Sequence, residues 1–163
     1  MKQIWSLRHL LVITMTAVAL MAHAQNTQLQ PNDPIPGMNL RDQHDDAWTI
    51  PADSKLVLFS ASRDANALIQ AVLVTKPSDY LETKKVVYFS DISKMPGFIT
   101  RTFALPSMRE LPYRLGVVMD AKESAAWPRR DGEITAVYLE NQRITRIEFI
   151  SKSTKLAELL ERI

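Results

Sequence analysis

The chain has 163 residues, 20 basic and 18 acidic side chains, a formal net charge of +2 and no cysteine. It is long enough for one domain with a real core. Thiol exchange, iron–sulfur clusters and thiolate zinc sites are excluded, and so balanced a charge argues against a polyanion such as nucleic acid as partner.

The N-terminus reads as a targeting segment. Lys2 and Arg8 make a basic start, Leu10 to Met21 carries no charge, and Ala22-His23-Ala24 places small residues where a signal peptidase reads. The pattern predicts a secretory signal over 1–24, cleaved near Ala24, and a periplasmic protein with no stable membrane anchor. The apolar run is short for a bilayer span, and no cysteine follows it for lipid attachment. Removing 24 of 163 residues leaves 139, and loses two basic side chains, so 18 basic stand against 18 acidic. His44 is then the one remaining histidine, so no metal site with two histidine ligands can form within one chain.

Residues 25–38 hold Pro31, Pro34 and Pro36 and read as an extended lead-in to a domain over 39–163. Asn39 to Asp46 and Trp48-Thr49-Ile50 suggest a small hairpin. Leu56 to Phe59 is a continuous apolar run, the mark of a strand buried on both faces. A helix over Asp64–Thr75 follows, with Leu68, Ala71, Val72 and Thr75 on one face and Ser62 or Asp64 as its cap. Val86 to Phe89 is a second buried strand, parallel to the first by a helical crossover.

Ser93 and Pro96 open another helix, in which Ile99 and Phe103 are expected to face the core. Ser107 to Leu111 allows at most one helical turn. Leu115 to Met119 is a third strand, and Lys122 to Gly132 a loop or short helix. Ile134 to Leu139 and Ile144 to Ile150 are joined by four residues, which forces an antiparallel hairpin. A last helix runs through Leu156, Leu159, Leu160 and Ile163, capped by Ser153 or Thr154.

This order, with the lead-in Pro36-Gly37-Met38-Asn39-Leu40-Arg41-Asp42-Gln43, resembles the thioredoxin-like superfamily, in the form with a peroxiredoxin-like N-terminal extension. The resemblance implies an α/β three-layer fold: a mixed central sheet, helices on both faces and an N-terminal β-hairpin. The family places Cys-x-x-Cys after its first core strand and a cis-proline before its hairpin. Here Asp64 and Ala67 stand at the cysteine positions, and Gly132-Glu133 precede Ile134. Exchange requires a thiolate, so the family's redox activity does not carry over. The stretches Asp91 to Gly97, Leu105 to Arg109 and Pro112 to Arg114 resemble a smaller group of exported, cysteine-free members, some of which carry flavin-dependent dehydrogenase labels. A pyrophosphate turn needs clustered glycines, and Gly37, Gly97, Gly116 and Gly132 stand far apart. No cofactor is therefore expected.

No side chain stands out as catalytic. Ser60 and Ser62 lack a nucleophile elbow and have only His44 as base. Asp42, His44, Asp45 and Asp46 form one local turn, too few pre-organised ligands for a metal. Met95, Met108 and Met119 read as packing before they read as soft metal ligands. The binding candidates are Ser62, Arg63 and Asp64 at the strand–helix junction, Met95 and Pro96 after the second strand, and Trp127, Arg129 and Arg130 as an aromatic beside two guanidinium groups. Trp127 tucked onto the core is the alternative.

The reading is an exported accessory module that holds a protein partner. The alternatives are a divergent oxidoreductase without thiol chemistry and a structural envelope protein.

Overall fold

The structure is a computed structural model and describes residues 28–163. The expected signal over 1–24 and the first three residues of the lead-in lie outside the described residues. In chain order the elements are β1 (Leu40–Asp42), β2 (Ala47–Trp48), β3 (Leu56–Ser60), α1 (Arg63–Leu73), α2 (Tyr80–Thr83), β4 (Val86–Asp91), α3 (Gly97–Ile99), a π-helical turn (Thr100–Ala104), α4 (Leu105–Arg109), β5 (Gly116–Val118), β6 (Ile134–Glu140), β7 (Arg143–Ile150) and α5 (Ser153–Arg162).

The strands form one sheet in the order β2-β1-β5-β4-β3-β6-β7. β3 and β4 run parallel in register, Leu56 opposite Val86 and Ser60 opposite Ser90. β5 runs parallel to β4 on the other side, and β6 antiparallel to β3. The continuous apolar runs of β3 and β4 follow from this central placement, since a central strand is covered above and below.

Successive strand residues feed two cores. Leu56, Leu58, Tyr88, Val117 and Ala136 pack with Ala65, Ile69 and Leu73 of α1 and with Leu156, Leu159 and Leu160 of α5. Val57, Phe59, Phe89, Val118 and Val137 pack on the other face with Leu29, Met38, Trp48 and Trp127. The mixed sheet, the helices and the N-terminal hairpin are present as expected. The buried apolar residues of the helices all belong to the first core. The second layer is made by the lead-in, the hairpin and the turn at Ala126-Trp127, where the expectation placed helix. The lead-in is anchored, with Ile35 N–H donating to the Gln142 carbonyl (2.9 Å) and Ile144 N–H to the Asp33 carbonyl (2.9 Å).

Four local expectations are corrected. The α1 helix begins at Arg63 and ends at Leu73, and its buried residues are Ala65, Ile69, Val72 and Leu73. Ser62, one of the two expected caps, starts it, its hydroxyl accepting the Ala65 N–H at 3.2 Å. Ser153 is the first residue of α5, and neither Ser153 nor Thr154 caps it. A short helix, α2, was not expected; Leu81 is its one buried residue.

The fourth correction bears on function. Residues 97–109 form one helical run with a π-turn inside it. The Leu105 N–H donates to the Thr100 carbonyl, five residues back. Pro106 explains the widening: it has no N–H to give, and its ring would collide with the Thr102 carbonyl in a regular α-helix. The extra residue in the turn shifts the phase of the residues that follow it. Thr100 is buried, its hydroxyl donating to the Pro96 carbonyl at 3.3 Å, while Ile99 and Phe103, expected in the core, are exposed with Phe98.

Candidate functional site

The C-terminal ends of β3, β4 and β5 meet the start of antiparallel β6 at one edge of the sheet. Open α/β sheets bind their ligands at such an edge. The strands present a polar cluster on each face there.

On the α1 face, Ser60, Tyr88 and Ser90 point to Asn66, in the second turn of α1. The Ser60 and Ser90 hydroxyls donate to Asn66 Oδ1 at 2.7 and 3.0 Å, and the Tyr88 hydroxyl donates to the same oxygen. The Ser60 and Tyr88 hydroxyl oxygens lie 3.0 Å apart. Burial pushes the Tyr88 phenol up to about 12, so it stays a neutral donor.

On the other face, the Asp91 carboxylate is almost wholly buried and fully bonded. Its Oδ1 accepts the Ser93 N–H (2.9 Å) and hydroxyl (2.6 Å). Its Oδ2 accepts the Ser124 hydroxyl (2.6 Å) and Arg129 Nη1 (2.9 Å). Burial alone would raise this carboxyl; the Ser124 and Ser93 donors and the Arg129 guanidinium outweigh it and hold it below the usual range. Arg129 is fixed further by the Ser124 carbonyl at 2.6 Å and lies 5.2 Å from the Phe59 ring centre.

Ser62 is spent as the cap of α1, and Arg63 and Asp64 stand exposed in its first turn. Met95 is half-buried and Pro96 exposed, immediately before α3. Adjacent strand ends thus bring Ser62, Arg63 and Asp64 to the same edge as Met95 and Pro96. Trp127 is not at the surface. It is 1% exposed and packs on Phe89 and Phe59, ring centres 4.7 and 5.8 Å away. Arg129 is tied inward to Asp91. Only Arg130 of that trio is free of the core, lying over the Phe149 ring at 4.1 Å. The apolar floor formed by Phe59 and Phe89 draws Trp127 in, and Asp91 draws in Arg129.

Asp42 is likewise occupied. It accepts Arg114 Nε at 2.7 Å and the N–H groups of His44 and Asp46, in a turn at the opposite end of the sheet. Among the described residues no group of three or more metal-ligating acidic or histidine side chains comes together. A recess of about 310 Å³ at that end, beside Trp48 and Leu81, holds Lys85, paired with Asp53, and Arg114.

The edge also carries residues that the sequence reading put elsewhere. Phe98 is 71% exposed, Phe103 57% and Met119 53%, with Ile99 beside them. The Phe98 and Phe103 rings meet edge to face, centres 6.3 Å apart. Next to them lies a cleft of about 240 Å³ lined by Ile92, Met95, Thr100, Arg101 and Met119. Helical spacing groups Ile99 with Phe103 but does not say which face of the run is buried.

No family model matches the sequence, and no curated protein matches it. Solved structures do match the fold. Peroxidoxin BcpB from Mycobacterium tuberculosis is 10% identical, with 83% of this chain and 97% of that one covered and a TM-score of 0.53. A SCO1/SenC family lipoprotein from Bacillus anthracis is 10% identical, with 83% and 98% covered and a TM-score of 0.51. A thiol:disulfide interchange protein from Bacteroides sp. is 14% identical, with 83% and 90% covered and a TM-score of 0.51. At such identity the likeness is one of fold alone. The chain has the thioredoxin-like fold, and has it without a cysteine.

Proposed function

We propose that this protein is an exported, periplasmic accessory module that holds a protein partner at the C-terminal edge of its sheet and performs no redox chemistry. One observation carries the reading. At the edge where thioredoxin-like relatives keep their cysteines, the buried polar side chains are bonded to one another: Ser60, Tyr88 and Ser90 to Asn66, and Ser124 and Arg129 to Asp91. Groups held in this way stiffen a surface and offer no free nucleophile or base. Export rests on the basic, apolar and small-residue pattern over 1–24. Among the described residues no helix is long and apolar enough to cross a membrane.

Affinity isolation from a periplasmic extract tests the reading. The purified protein should recover one partner in stoichiometric amount, and a variant with Arg63→Glu and Met95→Glu should lose it. Recovery of nothing across repeated isolations would count against it. So would an absorbance band from a bound flavin that turns over with a substrate.

A further inference from the structure

We infer that the exposed face of residues 98–103, with the cleft beside it, is a docking site for a protein segment in which an apolar side chain is flanked by carboxylates. The inference rests on the accessory-module reading and names the chemistry of its partner.

Two observations carry it. The first is shape. Phe98 and Phe103 stand out from the helix as an edge-to-face pair, exposed 71% and 57%. Beside them the 240 Å³ cleft has Ile92, Met95 and Met119 in its wall, room for one apolar side chain. Methionine adapts to varied shapes, which suits a wall that accepts a partner's anchor. The same face holds a π-turn, Thr100–Ala104, and such turns gather at functional sites.

The second is charge. From Ile92 to Arg109 the charged residues are Lys94, Arg101 and Arg109, with no acid among them. Arg109 is directed to the Gln43 carbonyl at 3.0 Å, which leaves Lys94 and Arg101 exposed near the cleft. Three acids lie next to this stretch in sequence, and two of them, Glu110 and Asp120, are exposed. Asp91 holds Arg129, and Asp120 accepts the Lys122 N–H at 3.0 Å. An apolar anchor that enters the cleft past Arg101 therefore meets positive charge on that rim, and carboxylates beside the anchor complement it. A lipid surface would need a broad wedge and has no use for a cleft of this size, so a peptide segment fits better.

Methyl-labelled methionine reads the site directly by NMR. Met95 and Met119 line the cleft, and Met38 and Met108 are internal controls that pack in the two cores. The purified protein is titrated with acetyl-Glu-Glu-Leu-Phe-Glu-Glu-amide, with the same peptide carrying lysine for glutamate, and with phosphatidylglycerol vesicles.

The expected result is saturable movement of the Met95 and Met119 methyls with the acidic peptide, with binding about tenfold weaker for the basic one. Arg101→Glu should reverse that order. Phe98→Ser with Phe103→Ser should weaken the acidic peptide by about tenfold or more, with Met38 and Met108 unmoved. Equal response to both peptides would overturn the acidic partner while leaving the accessory reading in place. Silence with every peptide would overturn the docking site, and a response to vesicles alone would assign the face to a membrane surface instead.

Discussion

Arg129 Nη1 meets Asp91 Oδ2 at 2.9 Å, across 38 residues of chain, and the Asp91 side chain is only 3% exposed. The pair fastens the turn before β6 to the end of β4. Removing one partner leaves the other desolvated and unpaired, so Arg129→Met should destabilise the fold by about 3 kcal/mol. Urea unfolding measures it.

The same carboxylate sets an acid dependence. The Asp91 pKa in the fold lies below its usual value of 3.8. Its contribution is thus present above the unfolded pKa and is lost as pH falls through the folded one. Stability should fall between about pH 5 and pH 2 in the wild type, and less steeply in Asp91→Asn. Asp42, also lowered despite burial because Arg114 and the turn N–H groups hold it, leaves a remainder in that variant.

Gly116 lies against the face of Trp48. A Cβ at 116 would come 2.7 Å from the indole Cδ2, and Trp48 is itself buried. Gly116→Ala should cost about 1–3 kcal/mol through overpacking. In a Trp48→Ala background the same change should cost close to nothing, and a double-mutant cycle reads the coupling.

Trp127 lies in the core and Phe103 at the surface. Trp127→Ala should remove about 3–5 kcal/mol, because it empties the space between Phe59 and Phe89. Phe103→Ala, on an exposed ring, should stay within about 0.5 kcal/mol. Thermal melts of the two variants compare them directly.

Three hydroxyls converge on Asn66 Oδ1. Asn66→Ala takes away the acceptor they share and should cost about 1–3 kcal/mol. Tyr88→Phe removes one donor and leaves two, so its cost should be smaller, near 1 kcal/mol on the order of a single bond. Urea unfolding ranks the two.

The central strands were legible because Leu56 to Phe59 and Val86 to Phe89 are apolar without interruption. The β6–β7 hairpin was legible from its short link, where Asn141 and Gln142 take positive φ of 50° and 62°. The helix over 97–109 misled for a physical reason. Ile99 and Phe103 share one face at helical spacing, but the face that is buried carries the polar Thr100. Trp127 sits in a turn, where no period of two or 3.6 indicates direction. Its burial depends on Phe59 and Phe89, more than 35 residues away in sequence. Part of the polar edge was hidden for the same reason, since Asp91 meets Ser124 and Arg129, and Asn66 meets Tyr88 and Ser90, across more than 20 residues.

Crosslinking in intact cells tests most directly whether this edge holds a partner. A photoreactive phenylalanine analogue is placed at Ser62, at Phe98 and, as a control on the exposed side of α5, at Glu158. The account predicts one discrete adduct shared by positions 62 and 98, absent from 158, and lost from both when Arg101→Glu is added. An edge that yields no adduct, or the same adduct from all three positions, would contradict it.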